Sequence, residues 1–308
     1  MNPDSRVYIA GHSGLVGNAI KRYLEAKEYT NLITRTHAEL DLCNTIDVNQ
    51  FFAESKPDYV FMAAAVVGGI HANDSLPVNF LQDNLQIQTN VIQAAFQQNV
   101  KKLAFLGSTC IYPRDCPQPI KEDYLLTGPL EKTNEWYAIA KIAGIKLCQA
   151  YRKQFGFNAI SMMPTNLYGP GDNFDLLHSH VLPALIRKFH EGKINHSEYV
   201  EVWGSGKPFR EFLYIDDMAE ACCFLMQEYD EADIINLGTG MDISIQSLAE
   251  LIREIVNFDG MIKFNTDKPD GTPKKLTDVS RINALGWHSK TALPDGIQKT
   301  YEWYKSTL

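Results

Sequence analysis

The chain has 308 residues, a formal net charge of −8 and six cysteines. A chain of this length buries a full hydrophobic core, either as one large α/β domain or as one domain with a smaller partner. The negative charge argues against a nucleic-acid partner, and the apolar runs are too short to span a membrane. The cysteines follow no disulfide or zinc spacing, so we expect reduced thiols, a cytoplasmic location and no metal site.

The first predicted element is a short strand that leads through a glycine-rich loop into a helix. Residues 7–10 are apolar, residues 11–17 read GHSGLVG, and the helical pattern NAIKRYLEA follows. Gly11 permits a tight turn, Gly14 lets the backbone approach a pyrophosphate, and Gly17 lets the helix pack close to the strand. A glycine-rich turn can open any α/β domain, but the flanking strand and helix favour a dinucleotide-binding loop.

The end of the second predicted strand bears on the choice of dinucleotide. Residues 31–34 form this strand, and Arg35 and His37 follow it. An NAD-specific site would place Asp or Glu there to accept a hydrogen bond from the ribose 2′-hydroxyl. Arg35, with His37 and the Ser13 hydroxyl, would instead bind a 2′-phosphate, so we predict NADP(H). The alternative is that Arg35 is a solvated charge at a strand end.

Strands and helices then alternate along the chain. A short strand and a helix are predicted within 38–55, a buried strand at 59–64, a helix opening at Pro77, and strands at 102–106 and 158–163. This alternation predicts a Rossmann-type doubly wound parallel sheet with right-handed crossovers, whose ligands gather at the carboxyl ends of the strands. Those ends carry Gly11, Arg35, Ala63, Ser108 and Pro164.

The domain organisation follows from this pattern. We expect residues 1–165 to form an NADP-binding Rossmann domain, and a segment near 211–240 to return to it. Within that segment, 212–227 is predicted as a helix. The remainder of 166–308 is expected to form a smaller α/β substrate-binding lobe, with the active site between the two.

Tyr137 and Lys141 are the first pair that points to chemistry. Residues four apart on a helix share one face, so the phenol and the ammonium can enter one pocket. A phenol ordinarily has a pKa of ~10, and a nearby cation lowers it. The pair is therefore suited to exchange a proton with an alcohol or ketone oxygen. A YxxxK motif alone is weak evidence, because a half-buried Tyr beside a solvated Lys is common.

The GHSGLVG loop, the Ser108 strand end and the Tyr137/Lys141 pair together resemble the extended short-chain dehydrogenase/reductase family. Further strings across the chain, among them FLGSTCIYP, EWYAIAKIAG and VWGSGKPFREFLYIDD, resemble members that carry out an epimerisation and a reduction. The resemblance implies a bifunctional 3,5-epimerase and NADPH-dependent 4-reductase that converts GDP-4-dehydro-6-deoxy-D-mannose to GDP-L-fucose. It also implies a homodimer.

The resemblance implies a role for each catalytic residue. Ser108 would hydrogen-bond the C4 oxygen, Tyr137 would donate a proton to it, and Lys141 would lower the Tyr pKa and hold the nicotinamide ribose. A Cys110 thiolate would remove the C3 and C5 protons, if a cationic neighbour lowers the thiol pKa. His180 would return those protons, with His178 as the competing candidate. Cys116 is expected to be structural.

The resemblance also implies the binding residues. The cofactor-binding set is Gly11, His12, Ser13, Gly14, Leu15, Val16, Gly17, Arg35, His37, Asp41, Leu106, Gly107, Ser108, Thr109, Lys141, Pro164, Thr165, Asn166, Leu167 and His180. Some family members have Arg where Ser13 and His37 stand, so the 2′-phosphate would depend more on Arg35 and the backbone.

The GDP end of the substrate needs cations and a stacking surface. Arg187 and Lys188 lie on a predicted helix, and Trp203 and Arg210 follow it. Arg can bind a diphosphate with two hydrogen bonds, Lys acts as a point charge, and Trp can stack on guanine or ribose. The family resemblance favours Lys188, Trp203, Arg210 and Asp270 as ligands. Asp270 is the weakest of these, because Asp-Gly beside prolines is typical of a turn.

Rival functions share the same fold. A nucleotide-sugar 4-epimerase or 4,6-dehydratase would hold NAD⁺ tightly and give no reason for Cys110 and His180. A non-catalytic dinucleotide sensor would not need Ser108, Tyr137 and Lys141 together. The fold alone does not decide among them, because function depends on the site.

Overall fold

The computed structural model describes residues 1–176, 179–268 and 270–308, with the backbone alone at 70, 71 and 74. The strands are β1 (Val7–Ala10), β2 (Leu32–Ile33), β3 (Tyr59–Met62), β4 (Lys102–Leu106), β5 (Ala159–Pro164), β6 (Asn166–Tyr168), β7 (Tyr199–Trp203), β8 (Phe209–Tyr214), β9 (Ile235–Leu237), β10 (Asp242–Ser244), β11 (Met261–Asn265) and β12 (Lys274–Lys275). The helices are α1 (Leu15–Ala26), α2 (Thr45–Ser55), α3 (Ile70–Ser75), α4 (Asn84–Gln97), α5 (Glu135–Phe155), α6 (Val181–Ile194), α7 (Ile215–Glu228), α8 (Ile245–Val256), α9 (Ser280–Ala284) and α10 (Leu293–Ser306). A π-helical segment, Asn79–Asp83, runs directly into α4.

The largest sheet is parallel and has the strand order β2-β1-β3-β4-β5-β9. Its inner strands are mainly apolar and almost fully buried, since helices cover both faces. Helices α1 and α7 pack on one face, and α2, α4 and α5 pack on the other. The strand order reverses between β1 and β3, where such a sheet opens a crevice for ligands. The predicted Rossmann-type doubly wound sheet is confirmed.

A second, smaller group of strands is centred on β8. This strand is parallel to β6 and β12 and antiparallel to β10, while β7 and β11 form a separate parallel pair. Helices α6, α8 and α10 pack over them through an apolar cluster that includes Phe189, Leu248 and Ile297. Only Thr165 separates β5 from β6, so the chain passes directly from the large sheet to the small one.

Two predicted elements are wrong. Residues 212–214 were expected in a helix but complete β8, and α7 begins at Ile215. Asp216 and Asp217 explain that start, because acidic side chains stabilise the first turn of a helix. Within the described chain, residues 38–44 form turns instead of the predicted short strand, and the Asn44 side chain caps α2 by accepting from the Ile46 and Asp47 amides.

No helix within the described ranges is long and apolar enough to cross a lipid bilayer.

Candidate active site

Tyr137 and Lys141 lie on α5, which packs against the carboxyl end of β4. Lys141 is buried, and its Nζ donates to the Leu106 carbonyl at 2.8 Å. The same nitrogen lies 5.7 Å from the centre of the Tyr137 ring and 4.9 Å from that of Phe105. Burial lowers the pKa of Lys141 to about 8. The structure therefore brings the predicted pair together at the sheet edge.

The expected direction of the Tyr137 pKa is wrong. Burial raises the pKa of the Tyr137 phenol, and the Cys110 thiol beside it acts in the same direction. The Lys141 ammonium donates to the Leu106 carbonyl and does not reverse this shift. The phenol therefore carries its proton at neutral pH, as an unperturbed tyrosine also does, and this proton is available to an alkoxide that forms beside it.

Ser108 and Cys110 follow β4 at the same edge of the sheet. Ser108 caps a short 3₁₀ helix, Thr109–Ile111, because its Oγ accepts from the Cys110 amide at 3.2 Å. Both side chains are half-buried, so each has one side open to a ligand. The turn thus presents a hydroxyl and a thiol next to Tyr137.

The Cys110 thiol has hydrogen-bond donors from two distant parts of the chain. Asn134 Nδ2 lies 3.3 Å from Sγ, and Lys275 Nζ lies 4.0 Å from it. The guanidinium of Arg210 also interacts electrostatically with this thiol. Sequence reasoning required a cationic neighbour for Cys110 but did not identify Lys275, which is 165 residues away in the chain. A contact between residues so far apart in the sequence has no local sequence signal.

His180 immediately precedes α6 and has an extended backbone conformation. Its side chain is accessible to solvent, yet the protein around it desolvates the imidazole and lowers its pKa. Within the described residues, no side-chain hydrogen bond joins His180 to Ser108 or Cys110. The competing candidate, His178, lies outside the described residues.

The glycine loop has little space for side chains at two of its glycines. Gly11 has a φ of +82°, and a Cβ there would lie 2.7 Å from the Ala64 amide nitrogen. A Cβ on Gly17 would lie 2.2 Å from the Gly11 carbonyl oxygen, so only glycine lets α1 pack this close. Gly14 is the N-cap of α1, its amide donates to the Gly11 carbonyl at 3.1 Å, and Leu15 and Val16 begin the helix.

The loop suits an anionic ligand. The described residues place no acidic side chain in the first turn of α1, whose amide groups point towards the loop. His12 Nδ1 is buried and lacks a hydrogen-bond partner within the described part of the chain, while Ser13 is exposed. These features fit the pyrophosphate of a dinucleotide.

Arg35 lies beyond the end of β2, at the same sheet edge as the glycine loop. Its guanidinium stacks 5.4 Å from the centre of the Phe51 ring and donates to the Thr34 carbonyl at 2.8 Å. The remaining donors face solvent. His37 is exposed, with Nδ1 4.0 Å from an oxygen of Asp41. Of the three predicted residues, Arg35 alone presents a fixed cation.

The segment that follows β5 connects the large and small sheets. The Thr165 amide donates to the Leu237 carbonyl at 2.9 Å. Asn166 Nδ2 donates to the Glu211 carbonyl at 2.8 Å, so its amide is bound to β8. Pro164 and Leu167 lie on either side of this crossing, whereas Leu106, Gly107 and Thr109 border it from β4.

The predicted nucleotide-binding residues form two contacting pairs in the smaller lobe. Lys188 Nζ lies 4.8 Å from the Trp203 ring, and Lys268, which was not predicted, lies 5.0 Å from it. The Asp270 carboxylate accepts from the Ser205 amide and hydroxyl at 2.6 and 2.7 Å, which lowers its pKa. Arg210 Nη2 donates to the Asp270 carbonyl at 3.4 Å.

Arg187, in contrast, forms an ion pair with Glu191 at 2.7 Å on its own helix. Arg187 Nη1 also donates to the Phe174 carbonyl. The structure therefore separates Arg187 from the Lys188 and Trp203 pair.

The class of protein follows from the parallel sheet, its glycine loop and the Ser108, Tyr137 and Lys141 group. The model of the NAD dependent epimerase/dehydratase family matches residues 7–238, and the chain belongs to this family.

More specific likenesses extend over nearly the whole chain. GDP-L-fucose synthase 1 of Arabidopsis thaliana is 58% identical over 300 residues, which cover 97% of this chain and 93% of that protein. GDP-L-fucose synthase of Escherichia coli (strain K12) is 50% identical over 308 residues, covering 97% and 96%. The structure is also similar to that of MlghC, a GDP-mannoheptose C4 reductase from Campylobacter jejuni with NADP bound, with a TM-score of 0.93, 41% identity and 99% coverage of both chains.

Proposed function

We propose that this protein is a bifunctional 3,5-epimerase and NADPH-dependent 4-reductase that converts GDP-4-dehydro-6-deoxy-D-mannose to GDP-L-fucose. The observation that carries the proposal is the thiol of Cys110, beside Ser108 and Tyr137 and within 4.0 Å of the Lys275 ammonium. A ketoreductase needs the Ser, Tyr and Lys group alone. A thiol with a cationic neighbour adds a base for carbon acids.

The epimerase chemistry begins at the C4 ketone, which acidifies the hydrogens on C3 and C5. Cys110 removes each proton as a thiolate, stabilised by the Lys275 ammonium and the Asn134 amide. Ser108 hydrogen-bonds the C4 oxygen while the enolate forms. His180 returns a proton to the opposite face of the ring. Because the imidazole exchanges its proton with solvent, the hydrogen on the inverted carbon comes from solvent.

The reductase chemistry uses the second group of side chains. When bound, NADPH supplies the hydride to C4. Tyr137, which is protonated at neutral pH, transfers its proton to the C4 oxygen as the alkoxide forms. Lys141, held by the Leu106 carbonyl, keeps a positive charge beside the phenol and the ribose site. Ser108 orients the oxygen for that proton transfer.

The cofactor would be held along the carboxyl edge of the large sheet. Residues 11–17 would hold its pyrophosphate, Arg35 its 2′-phosphate, and Lys141 with 164–167 its nicotinamide end. The solvent-facing donors of Arg35 support NADP(H), as does the NADP bound to the Campylobacter reductase. We assign 1–165 to the cofactor domain, together with α7 and β9 of the segment near 211–240, whereas residues 211–214 lie in β8 of the smaller group of strands.

The nucleotide would be held by the smaller lobe. Trp203 offers an exposed aromatic face, and Lys188 and Arg210 supply positive charge towards a diphosphate. The Asp270 carboxylate fixes the loop at Ser205, and its carbonyl orients Arg210. This assignment rests on contacts within the lobe and on relatives named for GDP-sugars.

A plain 4-ketoreductase is the second candidate function. The likeness to a GDP-mannoheptose C4 reductase at 41% identity favours it, because that protein is named for reduction alone. In this case Cys110 and His180 would have no chemical role, and the product would keep its ring stereochemistry.

Reaction in deuterated water separates the two candidates. GDP-4-dehydro-6-deoxy-D-mannose and NADPH are supplied, NADPH oxidation is followed by absorbance, and the product is analysed by NMR. Oxidation with deuterium at C3 and C5 supports the bifunctional enzyme. Oxidation without ring deuterium would establish the plain reductase, and absence of oxidation would contradict both.

We also propose that the enzyme is a cytoplasmic homodimer. All six cysteines are free, which suits a reducing compartment. The dimer rests on the family resemblance, and light scattering on the purified protein tests it.

A further inference from the structure

Glu211 is a fully buried carboxylate in the middle of β8. Its side chain accepts four short hydrogen bonds at its two oxygens. One oxygen accepts from the Thr277 amide at 2.8 Å and the Thr277 hydroxyl at 2.6 Å. The other accepts from the Thr239 and Gly240 amides at 2.6 and 2.7 Å. Burial raises the pKa of Glu211, and these four donors oppose that shift by favouring the charged form.

The partners of Glu211 come from segments that are distant in the sequence. Thr239 and Gly240 belong to the turn between β9 and β10, and Thr277 follows β12. The Glu211 carbonyl also accepts from Asn166 in β6. A charged acceptor bound by several backbone amides fixes their relative positions more tightly than a neutral one. Glu211 therefore sets how β12 lies against β8.

The alignment of β12 with β8 determines where two cations lie. Lys274 pairs with Phe209 and Lys275 with Arg210 in the parallel ladder. Lys275 Nζ is 4.0 Å from the Cys110 sulfur, and the Arg210 guanidinium interacts with the same thiol. Thr277 lies only two residues beyond Lys275. A displacement of Thr277 caused by a change at the Glu211 carboxylate would therefore also move the Lys275 ammonium.

We propose that Glu211 is a positioning residue for proton abstraction, whose buried carboxylate holds β12 so that Lys275 and Arg210 face Cys110. The inference rests on the proposed function for the reaction that it serves. Glu211 is fully buried and acts through the two cations. The reductase pair is independent of it, because Tyr137 and Lys141 are held by α5 and β4.

The test uses Glu211→Gln, which preserves shape but places an amide where only acceptors fit. We expect deuterium exchange at C3 and C5 to fall about 10- to 100-fold, since misplacement by about 1 Å can cost ~100-fold. The rate of Cys110 alkylation by iodoacetamide at pH 7, followed at the peptide level by mass spectrometry, should fall in parallel. The dissociation constant for NADPH should stay within about twofold.

Asp217→Asn is the matched control. Asp217 is also a buried carboxylate, and it accepts from the Lys290 amide and from the Thr291 amide and hydroxyl, in the segment before α10 instead of near β12. It should lose thermal stability without any change in exchange or alkylation. Glu211→Asp keeps the negative charge and should recover part of the exchange rate and of the alkylation rate. If Glu211→Gln does not fold, the comparison is made with Glu211→Asp instead.

Equal losses of exchange and of Cys110 alkylation in the Asp217 and Glu211 variants would overturn the proposal, because they would show that Glu211 has only a general structural role. A loss of NADPH affinity in parallel with exchange would overturn it as well. If the unsubstituted enzyme incorporates no ring deuterium, the proposed function fails. The alkylation rate then still decides whether Glu211 positions the cations at Cys110.

Discussion

The groups that we assign to reduction and to epimerisation meet at one sheet edge but are held in different ways. Tyr137 and Lys141 share α5, and Lys141 is bound to the Leu106 carbonyl inside the large sheet's core. Cys110 depends on Asn134 and on Lys275, which comes from the smaller lobe. The reductase pair is therefore a local unit, whereas the epimerase site is complete only when both lobes are in register. Substitutions should separate the two activities accordingly.

Cys110→Ser should produce the largest separation. The hydroxyl is a much weaker base than a thiolate, so exchange at C3 and C5 should fall about 10³-fold, within the range for loss of a general base. NADPH oxidation should continue and give a product without ring deuterium. Cys116→Ser, half-buried in the next loop, is the control and should leave exchange unchanged. If exchange at C3 and C5 survives in Cys110→Ser, Cys110 is not the base that removes these protons.

His180→Gln should have the next largest effect. Without an imidazole the proton is returned slowly, and we expect epimerisation to fall about 10²-fold. Incorporation of deuterium at C3 and C5, measured by NMR, reports the change. His196→Gln, at an exposed position, serves as the control. Full epimerisation by His180→Gln would show that another acid, such as His178, returns the proton.

Arg35→Ala should weaken the binding of NADPH without impairing the residues that we assign to reduction and to epimerisation. Loss of charge-assisted hydrogen bonds to a 2′-phosphate costs about 1.5–3 kcal/mol, so kcat/KM for NADPH should fall about 10- to 100-fold. NADH lacks the 2′-phosphate and is the internal control, and its kcat/KM should hardly change. Equal losses with both cofactors would contradict the assignment of Arg35 to the 2′-phosphate.

The pH dependence of reduction should show the smallest effect. Burial lowers the pKa of Lys141 to about 8, so the ammonium is present below that pH and lost above it. We expect kcat/KM for NADPH, which reports groups of the free enzyme, to halve near pH 8 and fall further at higher pH. Lys146 is exposed on the same helix, and Lys146→Ala should show the same fall of kcat/KM near pH 8. A fall of kcat/KM only near pH ~10 would assign the titration to a group with an unperturbed pKa.

The sequence predicted the elements whose signals are local. The glycine loop between β1 and α1, and the Tyr137/Lys141 spacing on α5, depend on residues within one turn or one helix. Lys275 and Asn134 were missed because their contact with Cys110 joins separate elements. The Tyr137 pKa was predicted in the wrong direction, because the burial that raises it depends on tertiary packing, which the spacing of Tyr137 and Lys141 does not reveal.

The boundary of β8 illustrates the same limit. Phe212 and Tyr214 are apolar enough for either a strand or a helix, and the choice depends on pairing with β6. Glu211 was likewise missed, because a buried carboxylate has no sequence signature apart from its partners. Predictions from sequence were thus strongest for the large sheet and weakest where the two lobes meet.

The central claim is that different residues carry out reduction and epimerisation. Its most direct test is Tyr137→Phe, assayed in deuterated water with substrate and NADPH. The variant keeps the ring packing and loses the proton that C4 reduction needs, so NADPH oxidation should fall about 10³-fold. Deuterium should still enter C3 and C5 at a rate within about tenfold of the unsubstituted enzyme, because Cys110, Lys275 and His180 are intact. Loss of exchange together with oxidation would contradict the account and show that one group of residues serves both reactions.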